Sequence, residues 1–139
     1  MRPAYRVRQV VNAVNLSTLL GLAVAKANGA TLTRGDDGLV VARGATGSFP
    51  RADAFTVGNV VIVRVPAPSP ELLAHESRHA TQWAWCLVLF LPLYLAAAGW
   101  SWARCGDHYS RNTFERRADL RDGGYVEHPT RRRARQLRG

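Results

Sequence analysis

Residues 83–103, WAWCLVLFLPLYLAAAGWSWA, form 21 consecutive positions without a charge, with paired tryptophans near both ends and Arg104 immediately after. A run this long and apolar must be covered, either by the rest of the domain or by a bilayer whose interfaces the tryptophans would mark. Pro92 interrupts it and is expected to end or kink a helix near residue 90. Residues 93–103 would then run back antiparallel, making a helical hairpin. The expectation is a soluble or peripheral domain with this hairpin as its core. The alternative is a hairpin embedded in a membrane through 83–103.

Just before the run lies PELLAHESRHATQW (70–83), with His75, Glu76 and His79 in the order H-E-x-x-H. The pattern has mechanical meaning only on a helix, and the local signals predict one. PAPSP (66–70) ends the preceding strand, Ser69 is a good N-cap, Pro70 suits the first helical position, and Glu71 favours the positive end of the dipole. Residues four apart share a helical face. His75 and His79 can therefore direct two imidazoles at one ion, through bonds of about 2.0–2.1 Å for zinc. Glu76 lies beside them, placed to take a proton from an activated water and pass it to a leaving amine. Two histidines at this spacing also occur without any metal, so a third donor decides the matter.

A catalytic zinc takes three protein ligands and leaves one position open. RNTFERRADLRDGGY (111–125) offers Glu115, with Asp119 four residues on. Glu115 is the expected third ligand. Asp119 is the expected acceptor for the second ring N–H of a ligating histidine, which would fix its tautomer. Asn112 and Glu115 also have capping-box spacing, a purely structural use for the same glutamate, and Asp107 and His108 are rival third donors. A single straight helix over 83–103 would be about 30 Å long. Residues 104–111, fully extended, cover about 27 Å. A return of that length would also have to cross lipid with unpaired backbone groups.

The remaining chain reads as α+β. Residues 5–27 contain helix ended by Gly29, 30–44 form a hairpin turning at Asp36, Asp37 and Gly38, 44–53 are loop, and 54–65 are strand with Gly58 at a bulge or close approach. The basic start and apolar middle of the first 30 residues also fit a signal peptide, although Asn12, Asn15, Ser17 and Thr18 interrupt it. Cys86 and Cys105 lack metal-ligand spacing and are read as reduced thiols of an intracellular protein. The 139 residues fit one domain, 1–127, followed by a basic tail at 128–139. The net charge of +9 favours anionic partners. RRRARQLRG (131–139) carries five arginines suited to an anionic membrane surface. With no aromatic residues between them, specific nucleic-acid binding is not expected.

AFTVGNVVIV (54–63), ELLAHESRHATQW (71–83) and NTFERRAD (112–119), in this order, resemble the extracellular contractile injection system core domain family of zinc metallopeptidases. The resemblance covers roughly residues 54–125. It implies zinc binding by His75 and His79, Glu76 as catalytic base, Glu115 as third ligand, and Gln82 as the glutamine that follows the family motif. The long Trp-rich run and Arg78 depart from the family pattern.

Residues and resemblance together lead to a small zincin-like α+β domain. A short N-terminal antiparallel β-sheet would pack on the H-E-x-x-H helix, followed by the helical hairpin and the third-ligand helix. The expected activity is zinc-dependent hydrolysis of a peptide or protein substrate, which would pair with the free edge of strand 55–64. Tyr109 and Tyr125 are candidates to stabilise the oxyanion. A cytoplasmic or peripheral-membrane location is expected. The alternative function is a non-catalytic, metal-stabilised module that binds a partner.

Overall fold

The computed structural model describes residues 2–47 and 52–131. Most of the expected basic tail, from 132 on, and part of the 44–53 loop lie outside the described residues. By its internal packing the chain divides into two compact units, residues 1–88 and 89–139.

The first unit runs α1 (Pro3–Val14), α2 (Ser17–Ala27), β1 (Thr31–Arg34), β2 (Val40–Arg43), β3 (Ala54–Val57), β4 (Val60–Val63) and α3 (Pro70–Cys86). The helical stretch expected over 5–27 is two helices. They break where Asn15 Oδ1 accepts from the Ser17 N–H at 2.9 Å and Leu16 takes φ 65°, a side chain outcompeting the helical ladder. The 30–44 hairpin is present, with Thr31 opposite Arg43. The expected single strand over 54–65 is itself a hairpin, Val57 opposite Val60 around Gly58 and Asn59. Gly58 takes φ +60°, and a Cβ there would stand 2.4 Å from the Ser17 carbonyl carbon. Both the turn and the close approach exclude a side chain.

The strand order is β1-β2-β4-β3. The sheet is mixed and not antiparallel as expected, because β4 pairs parallel to β2, with Val40 opposite Val60. The reason lies in β4 itself. Val60, Val61, Ile62 and Val63 are all buried. A strand apolar on both faces needs neighbours on both edges and cover above and below. On one face Val61 and Val63 pack with Leu39, Val41, Ala54 and Ala80 of α3. On the other, Val60 and Ile62 pack with Ala42 and with Ala25 of α2. Alternation along β3 therefore turns Ala54 and Thr56 toward α3, and Phe55 and Val57 toward α2.

α1 is inverted relative to an ordinary surface helix. Arg8 and Asn12 are buried, while Val7, Val10 and Val14 are exposed. Asn12 Nδ2 donates to Asn59 Oδ1 and to the Ala80 carbonyl, both at 2.9 Å. It thereby ties α1 to the β3–β4 turn and to α3. Arg8 donates to Ser77 Oγ at 2.8 Å and to the Asp37 carbonyl at 2.7 Å. Asn12→Leu leaves the Asn59 amide and the Ala80 carbonyl without this donor, so a loss of about 2–3 kcal/mol is expected, read as a lower urea midpoint. A change under 0.5 kcal/mol would mean that α1 does not anchor through Asn12.

The second unit holds α4 (Phe90–Cys105) and α5 (Thr113–Arg117). The break in the apolar run falls at Leu87, φ 54°, and not at Pro92. Pro92 sits in the first turn of α4, where its missing N–H has no intrahelical partner to lose. One stripe of α4 is covered: Phe90, Ala98 and Ser101 are buried. Phe114 of α5 meets Phe90 edge-on, with ring centroids 5.3 Å apart. The rest of α4 does not become core as expected, since Leu91, Leu95, Trp100 and Trp102 are more than half exposed. Taken together across the break at Leu87, the helical residues Pro70–Cys105 are long and apolar enough to cross a membrane by length and composition. Both cysteines are free.

Candidate metal centre

Sequence determines how α3 presents its donors. Ser69 Oγ accepts from the Leu72 N–H at 3.1 Å, and Pro70 opens the helix, as expected. From that start, His75, Glu76, His79, Ala80 and Trp83 form the buried face. The two histidine Nε2 atoms face each other at 3.0 Å. Two imidazoles sharing a tetrahedral zinc hold their nitrogens about 3.4 Å apart, given bonds of about 2.0–2.1 Å. The pair is thus within a few tenths of an ångström of ligating geometry. Gln82 Oε1 contacts His79 Nδ1 at 2.8 Å. An amide oxygen only accepts, so this contact requires a proton on His79 Nδ1, the tautomer in which Nε2 can serve as a metal donor. Gln82 is named from the sequence as the glutamine after the motif, but its contact with His79 was not foreseen. Its signal was spacing, three residues past His79 on the same helix.

Glu76 is buried. Thr56 Oγ1 donates to its Oε2 at 2.6 Å, and Trp83 Nε1 donates to the Thr56 carbonyl at 2.9 Å. The edge strand β3 is therefore pinned to α3 at one residue from both sides. Thr56 was not singled out from sequence, although its alternation with Ala54 places it on the α3 face.

Within the second unit, Asn112 caps α5, its Oδ1 accepting from the Phe114 N–H at 3.0 Å. The Asn112 N–H is taken by the Tyr109 carbonyl at 3.0 Å. The reciprocal half of a capping box is thus already supplied, and Glu115 is not needed for it. Glu115 is 2% exposed, and the Tyr94 hydroxyl donates to its Oε1. Burial, then the neighbouring Glu115 carboxylate, push the Tyr94 phenol well above its ordinary range, so it stays a donor.

The described residues include one buried group able to hold a metal ion: His75, His79 and Glu115, each with one donor atom, all within 4.8 Å of one another. The rival donors are not in it. Asp107 Oδ2 accepts from the Ser110 N–H at 2.7 Å and the Tyr109 N–H at 3.1 Å. Partial burial opposes the Asp107 charge, but these donors outweigh it and hold its pKa below the usual carboxylate range. His108 is exposed. Asp119 does not continue the helical face of Glu115, because α5 ends at Arg117 and Asp119 takes φ 69°. Tyr109 and Tyr125 stack on each other, with centroids 4.2 Å apart.

Comparison with protein-family models, with curated proteins and with solved structures finds no match for this chain. The fold and the donor group alone define its class: a small α+β protein with a four-stranded mixed sheet and a buried His-His-Glu group that could hold a metal ion.

Proposed function

We propose that the protein is a zinc-dependent peptide hydrolase of the type that the H-E-x-x-H resemblance implies, with His75, His79 and Glu115 as ligands and Glu76 as general base. The observation that supports this reading is the grouping of three buried donor atoms within 4.8 Å of one another, with the carboxylate of Glu76, next to His75 in sequence, held by Thr56. Two neutral imidazoles and a carboxylate suit zinc best among common divalent ions. The chemistry that zinc supplies when bound is Lewis acidity, which acidifies water and polarises a carbonyl.

The chain's own groups divide the remaining work. Gln82 holds His79 in the tautomer that offers Nε2. Asp119 keeps its expected role as acceptor for the second ring N–H of a ligating histidine. Tyr94 donates to Glu115 and keeps its carboxylate oriented. Glu76 removes a proton from the attacking water and returns it to the leaving nitrogen. Among the described residues β3 is an edge strand, paired with β4 alone. A substrate in extended conformation can add along its outer edge, beside Thr56 and Glu76.

Elemental analysis of the purified chain tests the site without a substrate. One equivalent of zinc is expected, falling below one tenth in His79→Ala, with Gln82→Ala weakening retention about 10-fold or more. Equal metal content in wild type and His79→Ala would remove the proposal.

A further inference from the structure

The hydrolase reading leaves the outer surface of α4 unused. Its covered stripe is narrow, and around the remaining circumference the helix carries no charge before Arg104. Leu91, Leu95 and Trp102 fall on one side of it at i, i+4 and i+11, and are 51%, 60% and 51% exposed. A helix apolar all round is expected inside a protein core or a membrane, and α4 is covered on one side only. The first unit shows the same inversion, with Asn12 inside and Val7, Val10 and Val14 outside. Across the described residues, large apolar side chains on the surface outnumber those in the core, seventeen to nine, leaving alanine aside. Scattered exposed leucines are ordinary, whereas contiguous patches mark an interaction surface.

The chemistry at the C-terminal end of α4 identifies the occupant. A cavity of about 500 Å³ opens there, lined by Trp100, Arg104, Arg111, Thr113, Arg116 and Thr130. Three guanidinium groups thus converge beside an exposed indole. Glu127 meets Arg111 and Arg116 at 2.8 Å each and leaves the cluster net positive. Arg104 lies over the Trp100 ring and Arg131 over that of Trp102, 5.4 and 5.6 Å from the centroids. Apolar side chains along a helix, then tryptophan, then arginine is the order met on passing from acyl chains through the interface to phosphate. Arginine forks suit phosphate oxygens. With 16 residues α4 is about 24 Å long, shorter than the roughly 30 Å hydrocarbon core, so α4 by itself does not span it.

We propose that α4 is a bilayer-docking element, seating Leu91 and Leu95 among the acyl chains of one leaflet, Trp102 at the interface, and an anionic phospholipid headgroup in the Arg104–Arg111–Arg116 cavity. A protein partner would have to match this shape, whereas lipid covers apolar surface without shape complementarity. The net charge of +9 favours an anionic leaflet.

Flotation of the full chain with vesicles tests this, using phosphatidylcholine alone and phosphatidylcholine containing 30% phosphatidylglycerol. Wild type is expected to float with the anionic vesicles at least 10-fold more than with the neutral ones. Leu91→Glu/Leu95→Glu, both at exposed positions, should lower partitioning into anionic vesicles at least 10-fold. Arg104→Gln/Arg111→Gln should remove most of the preference for anionic lipid but keep the weaker binding to neutral vesicles. Unchanged circular dichroism and metal content in both variants would show that folding is intact. Wild type that stays unbound to both vesicle types, or a Leu91→Glu/Leu95→Glu variant floating within twofold of wild type, overturns the proposal. So does a lipid-indifferent wild-type dimer that this variant converts to monomer, since the face would then be covered by a second copy. Competition by 10 mM inorganic phosphate should have little effect; full displacement would assign the cavity to soluble anions and overturn the lipid assignment.

Discussion

Glu76→Gln is expected to keep stoichiometric zinc and to lower hydrolysis of a peptide library about 10²–10⁴-fold, the range contributed by a positioned general base. The substitution preserves volume and still gives Thr56 an oxygen to donate to, in place of the 2.6 Å bond to Oε2. What it removes is the ability to accept a proton. Because Glu76 is not one of the three grouped donors, metal content serves as the internal control. Zinc retained with activity abolished supports the hydrolase. A biological activity unchanged by Glu76→Gln would instead favour a metal-stabilised module that binds a partner. Loss of zinc together with activity would place Glu76 among the ligands and require the donor group to be redrawn.

Gly21→Val is expected to be the most damaging substitution in the first unit. A Cβ at Gly21 would stand 2.3 Å from the Val57 carbonyl oxygen and 2.8 Å from Val60 Cβ. The first is backbone and the second a fully buried strand residue, so neither can move aside cheaply. α2 would have to lift off the face formed by Val60, Ile62 and Ala42. A loss of about 3 kcal/mol or more is expected, lowering Tm by roughly 10 °C for a chain this size. Gly99→Ala is the contrasting case, since a Cβ there meets nothing within 4 Å. It sits inside α4 and should gain about 0.5–1 kcal/mol from helix propensity. Urea denaturation of both variants checks the pair. If Gly21→Val came within 1 kcal/mol of wild type, α2 would not be seated on the sheet at that position.

The readable parts of this chain were those governed by local rules. Ser69 and Pro70 fix the start of α3, and the four-residue spacing of His75 and His79 then follows from helical geometry. Glu115 was legible as a carboxylate on a second short helix, with its capping-box role left open. The structure relieves it of that role because the Tyr109 carbonyl takes the Asn112 N–H, a contact no spacing rule contains. Tyr94 was hidden inside the apolar run, where a phenol among leucines reads as filler until Glu115 is beside it. The parallel pairing of β2 with β4 depends on burial of both faces of β4, and so on α2 and α3 together. The break at Leu87 escaped because proline is the usual signal for one, and the first turn of α4 accommodates Pro92.

α3 and α5 differ in how firmly they are built. The first is a 17-residue helix held to β3 at Thr56 and capped by Ser69. The second is five residues long, far below the dozen or so at which an isolated helix becomes marginally stable. An incoming cation would find the imidazole pair already fixed in place, while the carboxylate rides on a segment that opens far more readily. In the proposed centre, loading is therefore sequential, and the dissociation rate reports on the last segment to close. Shortening that segment or loosening its Asn112 cap should speed release of the ion without changing how quickly it is captured.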